Sequence, residues 1–96
     1  MYQFGISEAA RNDMDSSYKW YNEQQDNLGE EFLQEVFKTF QYIEQNPFLY
    51  AIRFSGKFRF AKVNRFPFLV VYELFENEIV VNSVFHTHLN PNRLSG

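Results

Sequence analysis

Five cationic side chains, Arg53, Lys57, Arg59, Lys62 and Arg65, follow one another with no acid among them. Such a run focuses the local field and draws nucleic acid or an acidic protein segment. Cations placed on an edge strand and its loops to discourage sheet aggregation would leave the same mark. Downstream stand His86 and His88, two residues apart. An imidazole there can serve as a general acid or base, or sit as a structural or surface ring. Two of them could begin a metal site, but no third ligand of suitable spacing accompanies them, so neither metal nor cofactor is expected. Glycine-rich phosphate loops, nucleophile elbows and zinc motifs are absent from the sequence. The adjacent Glu30 and Glu31 open a helical pattern, where the dipole alone accounts for them.

The elements that must hold these groups fit one small domain of 96 residues. With 45% hydrophobic and 22% charged residues the chain is globular rather than disordered. Aromatic content is high, 20% with twelve Phe, which either fills a thin core with bulky rings or leaves an aromatic patch for a partner. There is no cysteine, hence no disulfide or thiolate chemistry. No signal-like or membrane-spanning stretch is seen, so the cytoplasm is the expected compartment and no membrane is expected as a partner. Charge is uneven: residues 1–46 carry nine acids against three bases, whereas residues 47–96 carry six bases against three acids. The helical half is acidic and the sheet half basic.

Those halves follow from periodicity. Residues 2–6 alternate and predict a short strand ended by Ser7, an N-cap for a helix from Glu8 to about Gln25. Its apolar stripe is Ala10, Met14, Tyr18 and Tyr21, with Trp20 off the stripe. Asn27 with Glu30 suggests a capping box for a second helix, Leu28 to Gln45, whose stripe is Phe32, Leu33, Val36, Phe37, Phe40 and Ile43. Asn46-Pro47 stops it. Residues 48–56 read as loop and 57–63 as a strand. Residues 65–75 and 78–86, separated by Glu76-Asn77, then form a β-hairpin at the centre of the sheet. Phe68, Val70, Tyr72 and Leu74 would face one way and Leu69, Val71 and Phe75 the other. Two helices can cover only one of those faces, which points to a partner or a homodimer for the other.

The fold class is therefore α+β, β-α-α-β-β-β, a two-helix hairpin on a predominantly antiparallel four-stranded sheet. In this order the chain resembles the ParE/RelE family of bacterial type II toxin-antitoxin toxins, often called plasmid stabilisation proteins. The resemblance spans nearly the whole chain. It is carried by Ser7-Glu8-Ala9-Ala10 with Asp13, Tyr21 with Leu28-Gly29-Glu30-Glu31-Phe32, and Ile43-Glu44-Gln45-Asn46-Pro47. The run from Arg65 to Tyr72 and the ending Val84-Phe85-His86 with Asn90-Pro91 complete it.

The resemblance implies a toxin wrapped by a cognate antitoxin and one of two activities: poisoning of DNA gyrase, or ribosome-dependent cleavage of messenger RNA. Cleavage needs activation of the ribose 2′-hydroxyl, cations for the phosphorane and an acid for the leaving oxygen. Lys57, Arg59, Lys62, Arg65, His86 and His88 could supply these groups, with Arg59, Arg65 and His86 as the catalytic candidates; Arg53, Lys57, Arg59, Lys62 and Arg65 are the candidates for binding a partner or nucleic acid. RNA-cleaving members that resemble this chain carry an arginine where Leu69 stands and end with an arginine and a tyrosine, which are missing here. Leu89 also replaces the arginine of the His-x-x-Arg-x-Pro ending of ParE-like members. Growth inhibition by protein binding is the leading expectation, with gyrase as the target the resemblance implies. Ribosome and mRNA, or an antitoxin-binding domain without toxicity, are the alternatives.

Overall fold

The computed structural model describes residues 2–54 and 56–88. Strand β1 (Gln3–Ile6) ends at Ser7, whose hydroxyl accepts from the Ala10 amide at 3.1 Å and caps helix α1 (Glu8–Gln24). Ala10 and Met14 carry the buried stripe of α1, as the spacing requires.

Helix α2 (Leu28–Gln45) starts differently from the expected capping box. Asn27 takes a left-handed φ of 68° and makes no side-chain cap. Glu30 instead accepts from the Tyr18 hydroxyl at 2.7 Å, which holds its carboxyl below the ordinary range and the Tyr18 phenol above. The helices close tightly here because residue 29 has no side chain. A Cβ on Gly29 would lie 2.5 Å from the Tyr18 carbonyl oxygen and 2.8 Å from Asn22 Oδ1, the atom that accepts from the Gly29 amide.

The sheet comprises β1, β2 (Ile52–Phe54), β3 (Phe58–Lys62), β4 (Phe68–Phe75) and β5 (Glu78–His86), in the order β1-β5-β4-β3-β2. β1 runs parallel to β5, and the other neighbours are antiparallel. The four expected strands are all present. β2 is an addition inside the segment read as loop: three residues are too few to show a period, and their pairing comes from the open edge of β3. Glu76, with φ 56°, opens the two-residue loop of the β4–β5 hairpin, a backbone sign that suits the twist of the strands.

Phe32, Val36, Phe40 and Ile43 of α2 pack with Phe68, Val70 and Tyr72 of β4 and with Ile79, Val81 and Val84 of β5 in one cluster. Phe37, expected in the same stripe, is 47% exposed. Tyr72 is buried and donates to the Pro47 carbonyl at 2.8 Å; burial pushes its phenol up to about 12. This bond ties the loop after α2 to the central strand. Val71 and Phe85 lie on the opposite face of the sheet, also buried but outside that cluster. Among the described residues, no helix is long and apolar enough to cross a membrane.

Candidate functional site

Sheet register decides where the basic segment points. Arg59 pairs with Tyr72 and so lies on the helix-covered face. Its guanidinium donates to the Tyr50 carbonyl and sits over the Phe48 ring, 5.3 Å from the centroid. Arg59 thus fastens the loop leading into β2. Lys62 pairs with Leu69 on the far face, is exposed, and makes no ion pair among the described residues. Lys57, in the turn before β3, lies 3.4 Å from Glu73 and over the Phe58 ring at 5.0 Å. Arg53 is in β2; its side chain lies outside the described residues, as do Leu89, Asn90 and Pro91.

Arg65 turns toward the helices. Its Nη2 donates to Glu31 Oε1 at 2.9 Å, and its φ of 72° is left-handed, a conformation rare for a side-chain-bearing residue. The turn that forces this is tight. Phe68 donates to the Phe66 carbonyl at 2.8 Å across Pro67, a γ-turn. Thr87 returns to the same place, its amide and hydroxyl both donating to the Pro67 carbonyl at 2.9 and 3.2 Å. Lys62, Arg65, Phe66, Pro67, Leu69, Thr87 and His88 consequently surround one cleft of about 400 Å³.

His86 faces another cleft. It pairs with Phe68, its ring meets that ring edge-on at 4.9 Å, and with Ser16, Ser17, Trp20 and Tyr21 the two line a largely apolar cavity of about 300 Å³. Trp20, left unplaced by the sequence, is 54% exposed at its mouth. His86 Nδ1 accepts from the His88 amide at 3.1 Å, so the ring is held as an acceptor at that nitrogen.

Burial, and then the neighbouring His88, lower the His86 pKa below the ordinary imidazole value of 6.5. The unfolded chain therefore takes up the proton first as pH falls. The His86 contribution to stability is complete above 6.5 and is lost as pH drops toward the folded-state value. Denaturation midpoints should fall across that window in the parent and fall less in His86→Gln. Equal slopes for the two proteins would refute the assignment.

The three catalytic candidates do not converge. Four residues along β4 and two strand spacings separate Arg59 from His86, roughly 16 Å between Cα atoms by strand geometry. Arg65 is engaged by Glu31, and Leu69 occupies the wall between Lys62 and Thr87. What the structure does bring together is Lys62, Arg65 and His88. That grouping was not legible in sequence, because a turn at Pro67 and a second turn at Thr87 create it. Among the described residues, no three potential metal-ligating side chains are gathered.

A helical hairpin on such a sheet is a fold that solved structures share. The chain is similar to one in the chromosomal ParDE TA system from P. aeruginosa, with a TM-score of 0.81 and 19% identity over 92% of this chain and 98% of that one. It is similar at lower likeness to a copper-bound mutant toxin from Helicobacter pylori, with a TM-score of 0.53 and 19% identity over 90% and 94% of the two chains. By sequence alone no curated protein matches it. The family model for the ParE toxin of type II toxin-antitoxin system, parDE, matches residues 5–90. The chain belongs to the ParE toxin family.

Proposed function

We propose that this toxin arrests growth by binding an essential protein, DNA gyrase, and that a cognate antitoxin neutralises it by binding in turn, both in the cytoplasm. The observation that carries the reading is the separation of Arg59, Arg65 and His86, the three residues on which cleavage would rest first. Arg59 is committed to a loop carbonyl on the helix side, Arg65 to Glu31, and His86 to an apolar cavity. Transition-state cations act only when they meet at the reacting phosphate, and loss of one donor costs on the order of 100- to 1000-fold in rate. With those three apart, action through protein contact is the reading we favour. The ParDE structure that the fold matches supports an antitoxin partner by likeness.

Inducible expression separates the readings. Growth arrest with DNA breaks that require gyrase, and with RNA intact, is the expected outcome. Translation-dependent cuts in RNA that vanish in His86→Ala or Arg59→Ala would establish the ribonuclease reading instead. Neither lesion would leave an antitoxin-binding domain without toxicity.

A further inference from the structure

We propose that the cleft between Arg65 and His88 takes a single carboxylate side chain, presented by an acidic and apolar segment of a protein partner. The proposal rests on the reading that this toxin acts through protein contacts. Lys62 is exposed and unpaired among the described residues, and no acid lines the cleft. Arg65, held by Glu31 at 2.9 Å, forms the rim, and Lys62 is the cation left to receive the carboxylate of a partner. Part of the lining is apolar, supplied by Phe66, Pro67 and Leu69, so a hydrophobic neighbour of the acid has a surface to cover. The walls are pre-set by the two Thr87 bonds to the Pro67 carbonyl, which removes an ordering cost at the moment of binding.

Charge along the sheet selects a local anion over a polyanion. The far face carries Lys62 at the cleft end, but Glu73 follows along β4, and Glu76 and Glu78 stand at the opposite hairpin end. Lys57 is drawn to Glu73 and does not extend the basic track. A nucleic-acid strand leaving the cleft in that direction would run toward carboxylates, whereas one acidic side chain would not.

An acetylated, amidated peptide with one glutamate followed by leucine, titrated at low salt into the isotope-labelled full chain, tests this. The Thr87 and His88 amide signals should shift and saturate. The glutamine version of the peptide, and Lys62→Glu against the glutamate peptide, should each raise the Kd by about threefold or more. Because Lys62 is exposed, the variant should keep the parent fold, which the rest of the amide spectrum reports. Equal affinity for both peptides, or unmoved Thr87 and His88 signals, would overturn the proposal. Tighter binding of a short single-stranded RNA at the same amides would also overturn it, in favour of a nucleic-acid surface. Gyrase-dependent growth arrest with those amides unmoved would keep the function and lose the site; peptide binding without DNA breaks would do the reverse.

Discussion

Phe32→Ala should destabilise the domain by about 3–5 kcal/mol, the range for removing a fully buried phenyl ring. The side chain is 0% exposed. Its ring meets Phe68 at 4.7 Å, Tyr21 at 5.3 Å and Phe66 at 5.5 Å between centroids, so it joins both helices to β4 and to the turn before it. Rings held at several angles leave a cavity that no single neighbour can fill. A domain of this size has only about 5–15 kcal/mol in total, and the loss should lower the urea midpoint sharply or prevent folding. Phe37→Ala, one helical turn and more along α2, should move it little because that ring is 47% exposed. Similar midpoints for the two variants would remove Phe32 from the centre of the core.

The contrast between those two phenylalanines also marks how far periodicity reaches. The spacing of Phe32, Val36, Phe40 and Ile43 defines a face, and the structure buries that face. Phe37 falls close enough to the stripe to be counted with it, but it stands at the rim, beside Phe40 and in an open cleft with Met14 and Tyr18 of α1. Ser7 was readable as a cap because its chemistry is local. Asn27 was not, because a left-handed backbone and the Tyr18 and Asn22 contacts with Glu30 settled the second helix start through tertiary contacts. The candidate site follows the same division. The basic residues are visible in the chain, and alternation alone puts Arg59 and Lys62 on opposite faces of β3, but which of those faces meets the helices is settled only by their pairing with Tyr72 and Leu69. His88 joins Lys62 only through turns whose geometry no residue count supplies.

Strict alternation would also misplace the end of β5. It would put Ile79, Val81, Ser83 and Phe85 on one face, but the pairs Val71 with Ser83 and Tyr72 with Val81 leave Asn82 as an extra residue. This bulge reverses the phase, so Val84 joins Ile79 and Val81 in the core and Phe85 faces away. It is stitched to the start of α1. Ser7 donates from its amide to the Val81 carbonyl at 2.9 Å and from its hydroxyl to the Asn82 carbonyl at 3.1 Å. Asp13 Oδ2 accepts from the Ser83 hydroxyl at 2.9 Å and the Val84 amide at 3.1 Å. β1 pairs only as far as Val81, and beyond it Asp13 takes the place of a strand for the Val84 amide.

Asp13→Ala should therefore cost about 2–3 kcal/mol, since bonds to a charged group contribute about 1.5–3 kcal/mol and a half-buried amide is left to water. Asp13→Asn keeps a carbonyl oxygen and should lose less. Global midpoints alone would not locate the effect, so hydrogen exchange at Val84 is the sharper measurement. Its amide should exchange markedly faster in Asp13→Ala while those of Ile79 and Val81 change only as far as global stability does. Unchanged Val84 exchange with an unchanged midpoint would show that the carboxylate does not hold this edge. A lowered midpoint with all three amides accelerated equally would place Asp13 in the general stability of α1 instead. If the edge does open, the strand that carries His86 loses its anchor beside the apolar cavity, and an exposed length of β5 becomes available to pair with another chain.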